Sequence, residues 1–116
     1  MPKLIDRTAV VLRPKHAFLD WLHGCPDPPD FITLESIQED GANIYLIKEI
    51  VDLSKADAVL RKLAPRILEA ELAAWYTNED AWPEKLDYKT LKRLFEVRVE
   101  SMVVDMVDRP IRREEL

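Results

Sequence analysis

Apolar residues recur along this chain with two periods, and the switches between them divide it into elements. The densest apolar stretch, Phe95 to Val107, fits both. Read with period two, Phe95, Val97, Val99, Ser101, Val103, Asp105 and Val107 share one face. The opposite face begins charged at Glu96, Arg98 and Glu100 and turns apolar at Met102, Val104 and Met106. Read as a helix, Leu91, Leu94, Phe95, Val99, Met102, Val103 and Met106 fall three and four residues apart, interrupted by Arg98. The valines decide for a strand, because β-branched side chains lose rotamer freedom in a helix and pack well on a pleated surface. A short helix over Tyr88 to Leu94, capped by Asp87, is expected to lead straight into it.

Upstream, Thr8 to Arg13 reads as a strand apolar on both faces, hence internal to a sheet. Pro14 suits the first turn of a helix whose stripe is Ala17, Phe18, Trp21 and Leu22, and Gly24 suits a left-handed exit. Residues 25–30, rich in proline, form a stiff connecting loop. Thr33 is placed to cap a short helix through about Asp40, with Ile32 and Ile37 at the spacing of a hydrophobic staple and Gly41 ending it. Asn43 to Val51 is a second strand. Ser54 to Asp57 has capping-box spacing and opens the longest helix, reaching about Tyr76. Its apolar rows are Leu60, Ala64, Leu68, Leu72 and Tyr76 beside Leu63, Ile67 and Trp75. Pro65 inside it predicts a kink or a break, and Glu71 falls within the stripe. A loop carrying Trp82 follows, and residues 109–116 read as a loose tail.

The order β-α-α-β-α-α-β predicts a single α+β domain, a small three-stranded sheet with helices packed on one face. That arrangement leaves the other sheet face to be covered. Met102, Val104 and Met106, with apolar side chains of the first two strands, would form an exposed patch, and exposed patches mark partner surfaces. A homodimer through this face is the expectation, with another protein partner also open.

Composition narrows the classes. The 116 residues, 47% hydrophobic and 34% charged, suffice for one folded domain. A net charge of −5 argues against a general binder of nucleic-acid phosphates. The basic groups Lys89, Lys92, Arg93 and Arg109, Arg112, Arg113 are interrupted by acids and carry no interleaved aromatics. One cysteine, Cys25, allows no internal disulfide and fits a reducing compartment. The chain lacks a signal-like start and any apolar run of membrane-spanning length, so a cytoplasmic location with no membrane contact is expected.

No established catalytic signature is present. Two glycines, Gly24 and Gly41, make no phosphate-cradling loop. His16 and His23, seven residues apart on one helix, lie about 10 Å apart along its axis, too far to share a metal. Neither a metal nor a cofactor is expected. Cys25 lacks the positive surroundings that make a thiol nucleophilic. Asp105, Ser101 and Glu71 fall on apolar faces, where a carboxylate needs a charge partner or several hydrogen bonds. The main alternative to an interaction module is a small-molecule site or small enzyme, its pocket lying between the sheet and the Trp82 loop. Its candidate residues are Tyr45, Glu49, Glu71, Trp82, Ser101 and Asp105.

Three groups of residues together resemble a family of small, uncharacterised bacterial proteins. They are Val10 to Lys15 with Phe18 to Leu22; Ile44 to Glu49 with Trp75, Tyr76, Trp82 and Pro83; and Phe95, Glu96 with Ser101 to Asp105. The resemblance spans most of the chain and implies a bacterial, cytoplasmic, stand-alone domain. It supplies no activity and no catalytic residues. Lys48, where that family's pattern has a proline, and the internal Pro65 depart from it.

Overall fold

A computed structural model describes residues 1–29, 32–39 and 41–116. The loop end at Asp30 and the helix end at Asp40 expected above lie outside the described residues. The elements in order are β1 (Lys3–Leu4), β2 (Arg7–Pro14), α1 (His16–His23), α2 (Leu34–Glu39), β3 (Asn43–Lys48), α3 (Ala56–Trp75), α4 (Tyr88–Leu94), β4 (Phe95–Glu100) and β5 (Val104–Asp105). Single 3-10 turns cover Leu53–Lys55 and Glu79–Ala81. The protein is a small α+β fold, as its pattern predicts, with a three-stranded antiparallel sheet of order β3-β2-β4.

β2 sits in the centre because it is the strand apolar on both faces. Val10 lies between Tyr45 on β3 and Val99 on β4, and Leu12 between Asn43 and Val97. The even residues Thr8, Val10 and Leu12 are fully buried beneath the helices. Phe18, Leu22, Leu60, Leu68, Leu72, Leu91, Leu94 and Phe95 complete this core. Phe18 is its aromatic hub, with ring centroids 5.1 Å from Phe95, 5.9 Å from Trp75 and 5.6 Å from Trp21. The Thr8 hydroxyl oxygen accepts the Ile50 N–H at 2.8 Å, so the chain leaving β3 is tied to the central strand inside the core. Among the described residues no helix is long and apolar enough to cross a membrane.

The switch from helix to strand at Leu94–Phe95 falls where the valines place it. Asp87 caps α4, its carboxylate accepting the Thr90 N–H at 2.9 Å. Thr33 caps α2, its hydroxyl accepting from the Ser36 N–H while the Ser36 hydroxyl accepts from the Thr33 N–H, each at 3.1 Å.

Four local expectations change. Pro14 closes β2 opposite Phe95 instead of opening α1. Gly24 has φ −82°, and it is Gly41, at φ 88°, that uses the left-handed region. Asp52, not Ser54, starts the α3 segment, accepting the Ser54 N–H at 3.0 Å. Finally α3 runs unbroken through Pro65, whose ring faces solvent.

The run 95–107 is also shorter as a strand than its pattern suggests. β4 stops at Glu100, and β1 pairs with β5 as a two-stranded ribbon. Between Leu4↔Val104 and Ala9↔Glu100, the four residues Ile5 to Thr8 oppose the three residues Ser101 to Val103. The extra residue is a β-bulge, the device by which a strand bends and twists away. Beyond it the chain leaves the helical layer, and residues 108–116 are exposed and carry no regular structure.

Two stability outcomes follow from this packing. Thr8→Val keeps the shape but orphans the buried Ile50 N–H, and urea unfolding should show a loss of about 1–3 kcal/mol. Pro65→Ala should raise the stability read from urea unfolding by up to about 3 kcal/mol, because it restores a helical N–H and relieves the ring's crowding.

Candidate functional site

Helix α3 crosses beside β3, the edge strand of the sheet, and the two are tied at one end by a buried polar cluster. Glu71, 3% exposed, is brought against β3 because it lies in the same helical stripe as Ile67 and Trp75. Its Oε1 accepts the Tyr45 hydroxyl at 2.6 Å and the Asn43 Nδ2–H at 2.9 Å. Among the described residues no cation pairs with it, and both of these donors meet the same oxygen. Burial pushes the Tyr45 phenol well above its ordinary range, and the hydrogen bond to Glu71, with that residue's charge, adds to the shift. A carboxylate held by a phenol and an amide has no nucleophile to activate; it acts as a strut fixing the height of α3 over β3.

Beside this strut the helix and the strand edge enclose a groove of about 580 Å³. Val59, Leu63 and Ile67 of α3 form its apolar wall, with Tyr45 and Ile47 on the strand side. Lys48, Lys62 and Arg66 rim it, and its lining holds no carboxylate.

The strand edge is itself open. The Lys15 N–H donates to the Leu94 carbonyl at 2.9 Å, continuing the β2–β4 ladder, so odd residues of β2 bond β4 and even residues bond β3. The β3 partners of those even residues are Asn43, Tyr45 and Ile47. Ile44, Leu46 and Lys48 therefore turn their N–H and C=O groups outward, where no other described backbone or side-chain group meets them.

Of the six ligand-site residues expected from sequence, only Tyr45 and Glu71 come together. Glu49 and Ser101 are exposed. Asp105 is half-buried; its Oδ1 accepts the Val107 N–H at 2.8 Å in a local turn, and it borders a cleft between the β1 segment and the tail, remote from Tyr45 and Glu71. Trp82 packs against the core and donates its indole N–H to the Tyr76 carbonyl at 2.7 Å, which turns its polar edge inward. None of these four lines the groove.

The histidines also have separate tasks. His16 Nδ1 lies 3.2 Å from the Asp20 carboxylate, and His23 donates Nε2–H to the Ile32 carbonyl at 3.0 Å. Cys25 is buried, and burial pushes its thiol up, away from thiolate chemistry.

Lys62 and Arg66 are not among the residues the pattern singles out, and Lys48 stands there only as a departure from the resemblance. A signal for them exists: Val59, Leu63 and Ile67 form a second apolar row beside the core row of α3, wider than one packed face needs. Ala58, Lys62, Arg66 and Ala70 run alongside it, small and cationic.

Compared with models of known protein families, with curated proteins and with solved structures, the chain gives no match.

The polar cluster predicts an alkaline signature. Tyr45 is held above its ordinary value, and Tyr88 is pushed up to about 12 by burial and by its hydrogen bond to Asp57. The folded state therefore holds these protons longer than the unfolded chain. The associated stability is complete below about pH 10 and is lost as pH rises through the folded values. Urea midpoints should fall above about pH 10, and Tyr45→Phe should flatten that fall while lowering stability at neutral pH by about 1–3 kcal/mol. An unchanged alkaline slope in Tyr45→Phe would remove Tyr45 from the account.

Proposed function

We propose that this protein is a non-enzymatic interaction module that homodimerises through the uncovered face of its sheet. The observation that carries the reading is the one-sided placement of the helices. With the even residues of β2 under the core, the odd residues and their neighbours face outward. Val11 lies against Ile44 and Ala9 against Leu46, and Ile44 is 62% and Leu46 48% exposed. On the opposite edge Leu4 and Val104 pair across the ribbon, and Met102 and Met106 are each 70% exposed.

These apolar groups flank a charged row on β4, Glu96, Arg98 and Glu100. A row carrying both signs can meet its own two-fold copy with Arg98 against a partner glutamate, which is what an isologous interface requires. The apolar groups on either side supply area that water leaves on association.

Light scattering across concentration tests this. The wild type should show twice the monomer mass by about 200 µM, well above a micromolar dissociation constant. Met106→Glu and Ile44→Lys should each yield folded monomers with unchanged circular dichroism. A wild-type monomer throughout that range would sink the proposal.

A further inference from the structure

The groove between β3 and α3 opens on the helical side of the β3 edge, meeting the outer sheet face at Leu46, and its chemistry names its occupant. We propose that it takes an extended, acidic segment of a partner protein, which adds to the open edge of β3 as a fourth strand.

The first support is the edge itself. Unpaired strand edges invite strand addition, and proteins blunt them with charge, proline or bulges. The β4 edge is blunted: Glu96, Arg98 and Glu100 alternate along it. The β3 edge is not, since Ile44, Tyr45, Leu46 and Ile47 run without a charge until Lys48. Its outward N–H and C=O groups on Ile44, Leu46 and Lys48 have the spacing an added strand would pair with.

The second support is the space beside the edge. A segment paired with β3 points alternate side chains toward the helical layer, and there they meet the wall of Val59, Leu63 and Ile67. At about 580 Å³ the groove holds a few such side chains.

The third is charge. Lys48, Lys62 and Arg66 are exposed, and none is in an ion pair among the described residues. Three cations with no lining carboxylate, on a chain of net charge −5, select carboxylates in the incoming segment. A free fatty acid or other small anion would use the cations but leave the edge N–H groups unpaired, so the open edge favours a peptide. The strut of Tyr45, Asn43 and Glu71 holds this groove open before anything binds, which lowers the ordering cost of association.

The test selects random dodecapeptides displayed on phage against immobilised wild-type protein. The best peptide is then titrated, fluorescein-labelled, by fluorescence anisotropy. Enrichment of Asp or Glu alternating with Val, Ile or Leu is expected. Lys62→Glu combined with Arg66→Glu, both at exposed helical positions, should weaken the selected peptide by about tenfold or more, and added salt should weaken wild-type binding. Leu46→Pro removes an outward N–H from an edge strand, where proline is tolerated, and should abolish binding with circular dichroism unchanged.

No enrichment, enrichment of peptides without acidic residues, or undiminished binding in either variant would overturn the proposal. Light scattering of Leu46→Pro separates the remaining occupant. A wild-type dimer that this substitution alone dissociates would assign the edge to a second copy of the chain, and overturn the partner peptide.

Discussion

The fold depends on the pairing of β2 along both of its edges. Once Val10 is held between Tyr45 and Val99, the alternation of the strand obliges Thr8, Val10 and Leu12 all to face one way. That face needs a cover. The stripes of α1, α3 and α4 supply it around Phe18 and Phe95. Everything that could serve a partner lies outside this arrangement: the back of the sheet, its β3 edge, and the ribbon beyond the bulge.

Polar groups inside the core follow from the same constraint. Thr8 lies on the buried face, and its hydroxyl oxygen takes the N–H of Ile50. Glu71 lies on the helical stripe facing β3, and Tyr45 and Asn43 reach it from that strand. Among the described residues no buried side-chain nitrogen or oxygen is left without a hydrogen-bond partner. Polar residues in this interior fix where a helix sits over a strand, and so shape the groove between them.

The architecture was legible in the sequence wherever local chemistry decides it. The valines set β4 apart from α4, Asp87 and Thr33 mark helix starts, and β2 declares itself central by being apolar on both faces. The exposure of Met102, Val104 and Met106 followed from counting layers. What escaped depends on distant parts of the chain. Parity alone puts Ser101 and Asp105 on the core face, but the helical layer ends before them and the bulge turns the ribbon away. Trp82 suggests a ligand platform by its chemistry, whereas its indole N–H is taken by a carbonyl six residues back. The groove lies between α3 and β3, and the relation of two separate elements is one that no single periodic pattern contains.

The register of the sheet also sets an order of assembly. β2 and β3 are separated by two short helices, but β2 and β4 come together only after the 80 residues between Pro14 and Phe95 have been gathered in. During synthesis the strand that organises the core therefore waits with one side unsatisfied until Phe95 to Glu100 have left the ribosome. β4, the last of the three sheet strands to arrive, completes the middle one, and a chain interrupted before it would present β2 with one bare, apolar edge.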